Sequence, residues 1–321
     1  MSSVFYFGKI PSRGDFIKSS SAGAVIQQLD TWVTRGMELL LDDPDWKRRY
    51  DEAAPITFLF AGTRARHMIT GRLVSSRDAS QRRYPLLFGT LAPVSDPLPF
   101  LVSAPLSLAS AWSLLHSLQD TVLQAENPQA ELLHVERVDA PIEDPAITSR
   151  RLREFAMQTT LADLQQQFGD SEPPPNLRRS ILALGILLQP ILTQARPEVG
   201  KALNCPLPAE PQLAALTAAF WLDLITPFLA RANLELAILQ THSPRGPILT
   251  LSFGGAQPKV LENIWRQDPH SDYAIDIRDV DWVEDYVGSA LHLGKLASYL
   301  QHAELSLQRA TATFRETFLG L

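Results

Sequence analysis

The chain has 321 residues, of which 45% are hydrophobic and 20% are charged. This ordinary globular composition suits one large domain or two of average size. The formal net charge of −6 argues against general affinity for nucleic acid, which requires concentrated lysine and arginine to release phosphate counterions. Cys205 is the single cysteine, so the chain can form neither an internal disulfide nor a thiolate metal cluster.

Neither export nor membrane insertion is predicted. The first residues lack the charged segment, longer apolar core and small-residue cleavage site of a secretory signal. The apolar stretch at 181–192 contains Gln189 and Pro190 and is shorter than the roughly 20 apolar residues of a membrane span. We therefore expect a cytoplasmic protein that does not insert into a membrane.

The first part of the chain predicts strands, loops and one helix. A short aromatic run at 4–7 predicts a strand that Gly8 ends. Apolar side chains at helical spacing predict a helix over 24–41, with Trp32 in its buried stripe. Further strands are predicted at 56–61, 68–74 and 86–92. A sheet flanked by helices is a layered α/β arrangement.

Several prolines follow residue 92, and after them the sequence pattern changes from predicted strands to predicted helices. We predict helices from about 107 and at 149–168, 177–194, 211–231, 258–265 and from about 282. Asp223 lies in an apolar run, so if it is buried we expect an arginine partner from a neighbouring helix. Two strands around a turn at 243–246 predict a hairpin.

These patterns predict an α/β fold in two parts. Residues 1–135 are expected to form a layered α/β N-terminal domain with a central sheet flanked by helices. Residues 136–321 are expected to form a largely helical C-terminal region with a short β-hairpin near 235–253.

The Gly8-Lys9 pair after a strand invites comparison with the phosphate-binding P-loop. That motif needs a glycine five residues before the Gly-Lys pair and a serine or threonine after it. Here the strand itself precedes the pair and Ile10 follows it, so the pattern argues against a nucleotide site.

The loop that follows has the residues of a structured turn. Pro11 fixes φ, Gly14 can take a positive φ, and Asp15 can cap a backbone amide. Turn formation alone does not explain why Lys9 and Arg13 cluster with Asp15.

A second polar loop, at 76–86, joins two predicted strands at a rim of the sheet. An ion pair of Arg83 with Asp78 or with Asp15 can tie the two loops together through bidentate hydrogen bonds. The alternative is a solvated loop, whose surface pairs contribute only about 0–1 kcal/mol each. Spacing alone does not separate these two interpretations.

Asp30 and Trp32 lie on the predicted first helix. At about 3.6 residues per turn they point roughly 200° apart, so they cannot share a face. Trp32 is expected in the core, while Asp30 faces either the Arg13 loop or solvent.

The sequence shows no familiar catalytic pattern. No two of its seven histidines have the i, i+4 spacing of a helical zinc site, and no Gly-x-Ser-x-Gly elbow is present. A Ser/His/Asp triad can assemble from distant positions, but nothing in this sequence supports one. We expect no catalytic residue, no cofactor, no metal site and no enzymatic activity.

Three separated motifs follow one another along the chain: Gly8-Lys9-x-Pro11-x-Arg13-Gly14-Asp15-Phe16, Asp30-x-Trp32 on the predicted helix, and Asp78 to Arg83-x-Pro85-Leu86. Through them, residues 4–92 resemble the N-terminal region of the TagF family, also called ImpM, which accompanies type VI secretion loci. The resemblance implies a cytoplasmic accessory protein that represses secretion-system assembly after translation. It implies type VI secretion components as partners, above all the forkhead-associated scaffold protein of the threonine-phosphorylation pathway. The motif or partner-binding residues it implies are Lys9, Pro11, Arg13, Gly14, Asp15, Phe16, Asp30, Trp32, Asp78, Arg83 and Pro85.

Three hypotheses follow for the charged N-terminal loops. The leading one is a non-catalytic regulatory binding module that uses these loops as its partner surface. A second is a small-ligand or phosphate-binding protein, or an enzyme, that uses the same loops as an anion pocket. In the third, the motif residues are architectural and the partner surface lies on the helical second half.

Overall fold

The structure is a computed structural model that describes residues 3–169, 174–193, 200–268 and 271–321. Its nine strands are β1 (Val4–Gly8), β2 (Ile17–Lys18), β3 (Ile56–Gly62), β4 (His67–Val74), β5 (Leu86–Pro93), β6 (Ala202–Pro206), β7 (Glu235–Ser243), β8 (Gly246–Ser252) and β9 (Ala274–Asp276). They form one sheet in the order β2-β1-β5-β4-β3-β7-β8-β6-β9. Every neighbouring pair is antiparallel except β6 with β9.

Thirteen helices accompany the sheet in the described part of the chain. They are α1 (Gly23–Leu40), α2 (Trp46–Asp51), α3 (Pro97–Ser107), α4 (Ala109–Gln124), α5 (Gln129–Val135), α6 (Pro145–Gln158), α7 (Leu161–Gln166), α8 (Leu177–Thr193), α9 (Pro211–Leu229), α10 (Pro258–Arg266), α11 (Val283–Ser289), α12 (Leu291–Tyr299) and α13 (Leu307–Leu319). The predicted α/β class, with helices dominating the C-terminal region, is confirmed.

Helices cover both faces of the sheet. On one face, α1 and α10 pack in a single apolar cluster with strand residues such as Phe58 and Leu239. Gly36 lets these two helices approach closely, because a Cβ there would lie 2.9 Å from a methyl carbon of Leu261. On the other face, α4 packs over β1 and β5, while α3, α8 and α9 share a core with β7 and β8. The result is three layers.

The predicted hairpin near 235–253 is confirmed as β7 and β8, although it is not a separate unit. β7 pairs with β3 through Phe58 and Leu239, so strands from both predicted parts join one sheet. Strand pairing is therefore continuous across the predicted boundary, and the division into 1–135 and 136–321 stays a prediction.

Two helical predictions were incomplete. The helix expected from about 107 is confirmed as α4, which begins at Ala109, whereas α3 before it was missed. Pro97 begins α3, because proline fits the first helical turn, where its missing N–H has no partner to lose. The helix expected at 149–168 is two helices. The first, α6, ends at Gln158, and Thr160 caps the second, α7, through a reciprocal capping box with Asp163.

The expectation for Asp223 on α9 is confirmed. Its carboxylate lies 2.7 Å from a guanidinium nitrogen of Arg315 on α13. Burial raises the pKa of Asp223, and Arg315 opposes that rise. α9 is long and apolar enough to cross a membrane, but 61% of its apolar window is buried inside the protein. Packing against the sheet and α13 accounts for its apolar composition.

Candidate functional site

Two loops, residues 9–16 and residues 75–85, lie side by side at one edge of the sheet, and we call them the loop pair. Their meeting follows from strand pairing, because Gly8 at the end of β1 and Val74 at the end of β4 both pair with Leu86 at the start of β5. The amide of Ala79 donates to the carbonyl of Arg13 at 2.8 Å. The guanidinium of Arg82 donates to the carbonyl of Gly14.

Asp78 lies at the centre of the loop pair and is fully buried. Its carboxylate is 2.9 Å from Lys9 Nζ and 2.7 Å from Arg82 Nε. The amides of Ser80 and Arg82 each donate to it at 2.9 Å. Burial alone would raise the pKa of Asp78, but the hydrogen bonds from Lys9, Arg82 and Ser80 outweigh it and lower the pKa. Lys9 and Asp78 thus act as an internal brace.

Arg83 does not pair with Asp78 or Asp15, so both suggested pairs were wrong. Its guanidinium binds Asp51 at the end of α2, with Nε to Oδ1 at 2.9 Å and Nη2 to Oδ2 at 2.6 Å. These hydrogen bonds lower the pKa of Asp51. Successive side chains of an extended segment point to opposite sides, so Arg82 reaches Asp78 while Arg83 reaches α2. No spacing in the sequence identified Asp51.

Asp30 and Trp32 take different roles, as their helical spacing predicted. Trp32 is buried in the core, and its Nε1 lies 3.3 Å from the carbonyl of Gln257. Asp30 points towards Tyr84 and not towards the Arg13 loop. Its carboxylate accepts a 2.6 Å hydrogen bond from the Tyr84 hydroxyl. Asp30 therefore holds the aromatic ring next to the loop pair.

Tyr50 of α2 forms hydrogen bonds with the loop of residues 75–85. Its hydroxyl donates to the carbonyl of Ser76 at 2.9 Å and accepts from the amide of Ser76 at 2.9 Å. Ser75 Oγ donates to the carbonyl of Tyr50 at 2.6 Å. The tyrosine is 1% exposed, so water does not compete for these groups.

We expect Tyr50→Phe to lower the free energy of unfolding by about 1–3 kcal/mol, because the amide of Ser76 loses its acceptor and the carbonyl of Ser76 keeps only the amide of Tyr84 as a donor. The matched control is Tyr286→Phe, at a side chain that is 52% exposed, with an effect within about 0.5 kcal/mol. Urea titrations of both variants and the wild type measure the difference. Equal midpoints for all three proteins would show that Tyr50 does not brace this loop.

Other side chains of the loop pair face solvent. Arg13 and Asp15 are exposed, and Phe16 is 47% exposed. The ring of Phe16 stacks on Phe7 at 5.5 Å and meets the edge of Tyr84 at 4.8 Å. Phe16 is therefore fixed in place although half of it is open.

The structure thus separates the motif residues by position. Those in or directly against the loop pair are Lys9, Pro11, Arg13, Gly14, Asp15, Phe16, Asp78, Arg83 and Pro85. Asp30 contacts the pair through Tyr84, and Trp32 lies in the core. Asp51, Tyr50 and Arg82 belong to the same arrangement and were not identified from the sequence.

A cavity of about 580 Å³ lies at the turn of the β7–β8 hairpin, and no residue of the loop pair lines it. Arg245 at this turn binds Asp279, and Arg278 binds Asp276, so the charged groups there are already paired. In the four described ranges of the chain, no group of three or more His, Cys, Asp or Glu side chains is placed to hold a metal ion.

Comparisons with known proteins identify the N-terminal part. The family model described as "TagF N-terminal domain, Type VI secretion system-associated" matches residues 5–138. The crystal structure of PA0076 from Pseudomonas aeruginosa PAO1 is similar, with 25% identity over 43% of this chain and a TM-score of 0.37. The match spans 64% of that protein, less than two thirds of its length. The search of curated proteins found no match. Residues 5–138 of the chain thus match the TagF N-terminal domain, a type VI secretion system-associated family.

Proposed function

We propose that this protein is a non-catalytic regulatory module of the type VI secretion system. In this proposal it acts in the cytoplasm, after translation, as a repressor of assembly that binds the forkhead-associated scaffold protein. The observation that carries the proposal is the loop pair inside the TagF domain. There the buried Lys9–Asp78 ion pair joins the two loops, while Phe16 and several arginines are exposed to solvent.

The chemistry of the loop pair favours binding over catalysis. A general base needs a pKa near the working pH, whereas the bonds to Asp78 lower its pKa. Lys9 is occupied by that same carboxylate. Cys205 lies elsewhere, fully buried, and burial raises the pKa of its thiol, which disfavours a reactive thiolate.

The direct test combines secretion and binding. In a bacterium with an active secretion locus, deletion of the gene should increase secretion, and the wild-type gene should restore repression. The purified protein should co-elute with the purified scaffold in size-exclusion chromatography. Unchanged secretion after deletion, together with separate elution, would reject the proposal.

The competing ligand hypothesis makes a different prediction for thermal unfolding. We expect no rise in melting temperature with inorganic phosphate, ATP or GTP, because the buried ammonium of Lys9 already pairs with Asp78 and the remaining arginines form an open, exposed surface. A ligand that binds the native state must stabilise it, by an amount that rises with the ligand concentration. A reproducible, concentration-dependent rise would therefore favour an anion pocket.

A further inference from the structure

We infer that the loop pair recognises an acidic protein segment that carries an apolar side chain. Phe16 would receive the apolar side chain, while Arg13, Arg77 and Arg82 would bind its carboxylates. This inference rests on the proposed function and names the chemistry of the partner that the surface fits.

The charge of the loop pair is opposite to that of the whole chain, whose net charge is −6. The cations here are Lys9, Arg13, Arg77, Arg82 and Arg83, against the carboxylates of Asp15, Asp51 and Asp78. The Lys9–Asp78 and Arg83–Asp51 pairs neutralise themselves. Three arginines then face one exposed aspartate, which gives a locally positive surface that attracts an acidic partner.

The three arginines still have hydrogen-bonding capacity for a partner. The guanidinium of Arg13 donates to neutral carboxamides, Asn127 at 3.3 Å and Gln129 at 3.4 Å, and the guanidinium of Arg77 donates to Gln81 at 3.0 Å. Within the described residues, neither Arg13 nor Arg77 forms an ion pair. The Arg82 side chain is 59% exposed and shares its single carboxylate partner with Lys9. Exposed guanidinium groups bind carboxylates bidentately.

Phe16 supplies an apolar anchor at the same place. Its ring is 47% exposed but is held by Phe7 and Tyr84, and Lys9 Nζ lies 4.9 Å from the ring centre. A side chain fixed before binding loses little conformational entropy when the partner arrives. Aromatic and arginine side chains together are typical of interface hot spots.

A protein segment fits this surface better than a lipid or a nucleic acid. A membrane surface favours a broad apolar face, whereas Phe16 is a single exposed ring. The exposed carboxylate of Asp15, two residues from Arg13, repels a continuous line of phosphates. A protein segment in which carboxylates alternate with apolar side chains matches a surface of exposed arginines beside Phe16.

The test measures binding of the purified scaffold protein to the full-length chain by isothermal titration calorimetry. The variants are Phe16→Ala and the double variant Arg13→Glu/Arg77→Glu. The matched control is Arg150→Glu/Arg153→Glu, which makes the same charge change at exposed arginines of α6. Circular dichroism checks that each variant folds.

We expect each loop-pair variant to bind about tenfold more weakly or worse, with the control close to wild type. Wild-type affinity should fall as sodium chloride rises from roughly 50 to 300 mM, because screening weakens exposed charge pairs. Binding of the scaffold that no loop-pair variant changes would overturn the inference while the proposed function stands.

A second arm separates the other outcomes. It uses a fluorescein-labelled peptide of alternating aspartate and leucine, read by anisotropy, and vesicles of phosphatidylcholine and phosphatidylglycerol, read by co-sedimentation. Peptide binding that the loop-pair variants lose, without scaffold binding, supports the inferred chemistry but rejects the proposed scaffold partner. If the wild type binds vesicles and the same variants lose that binding, the partner is a membrane surface and the inference is overturned. Binding to neither scaffold nor peptide would overturn both proposals.

Discussion

Replacing Gly8 by alanine is expected to destabilise the protein strongly. The residue has φ of +138°, a conformation that side chains with a Cβ rarely adopt, and such strain costs about 1–3 kcal/mol. The new Cβ would also lie 2.1 Å from the carbonyl oxygen of Pro85 and 2.8 Å from Cα of Leu86. These are backbone atoms of the neighbouring chain segment, so relief requires separation of β1 from β5. We expect a loss of about 2 kcal/mol or more.

Gly14 provides a matched control in the same motif. A Cβ there meets nothing within 4 Å, so Gly14→Ala should change the free energy of unfolding by about 0.5 kcal/mol or less. Chemical denaturation of both variants measures the contrast. Equal stability of Gly8→Ala and Gly14→Ala would mean that the close approach of β1 to Pro85 does not set the geometry of the loop pair.

The second large effect is expected for Asp78→Asn. Asparagine keeps an oxygen for the amides of Ser80 and Arg82 but removes the charge that Lys9 requires. Lys9 is 7% exposed, so its ammonium would stay buried without a countercharge, which is strongly unfavourable. We expect a larger drop in melting temperature than for Asp51→Asn, which breaks the more exposed pair with Arg83.

The pH dependence of this effect distinguishes charge from shape. The folded-state pKa of Asp78 lies below its ordinary value near 3.9, so its charge stabilises the fold above that value. This stabilisation is lost as the pH falls below about 4 towards the folded pKa. The stability difference between wild type and Asp78→Asn should therefore be constant from about pH 7 to 5 and shrink below about pH 4. If the stability difference between wild type and Asp78→Asn stays the same at acid pH, the substitution acts through packing and not through the lost charge.

Much of the N-terminal fold could be predicted because each element has a clear local pattern. The aromatic strand β1, the amphipathic helix α1 and the strands β3 to β5 have the periodicity of their secondary structure. β2, β6 and β9 were missed because they have two, five and three residues and carry polar side chains such as Asn204 and Asp276. Such short strands form because the sheet offers them partners.

The gathering of polar residues at one sheet edge could also be predicted, because it follows from the ends of adjacent strands. Their pairing could not. Arg83 binds Asp51 and Arg82 binds Asp78, a choice set by side-chain direction in the loop and by the position of α2. In the same way, Arg179 of α8 binds Asp281 and Glu284, which lie far from it in the sequence. Long-range ion pairs depend on tertiary packing.

Hydrogen–deuterium exchange of the full-length chain, alone and with the purified scaffold, tests most directly whether the loop pair is the surface on which the protein meets its partner. We expect the scaffold to slow exchange at residues 10–16 and 76–83. Protection confined to the helices beyond residue 138, with these two loops exchanging as in the free protein, would contradict it.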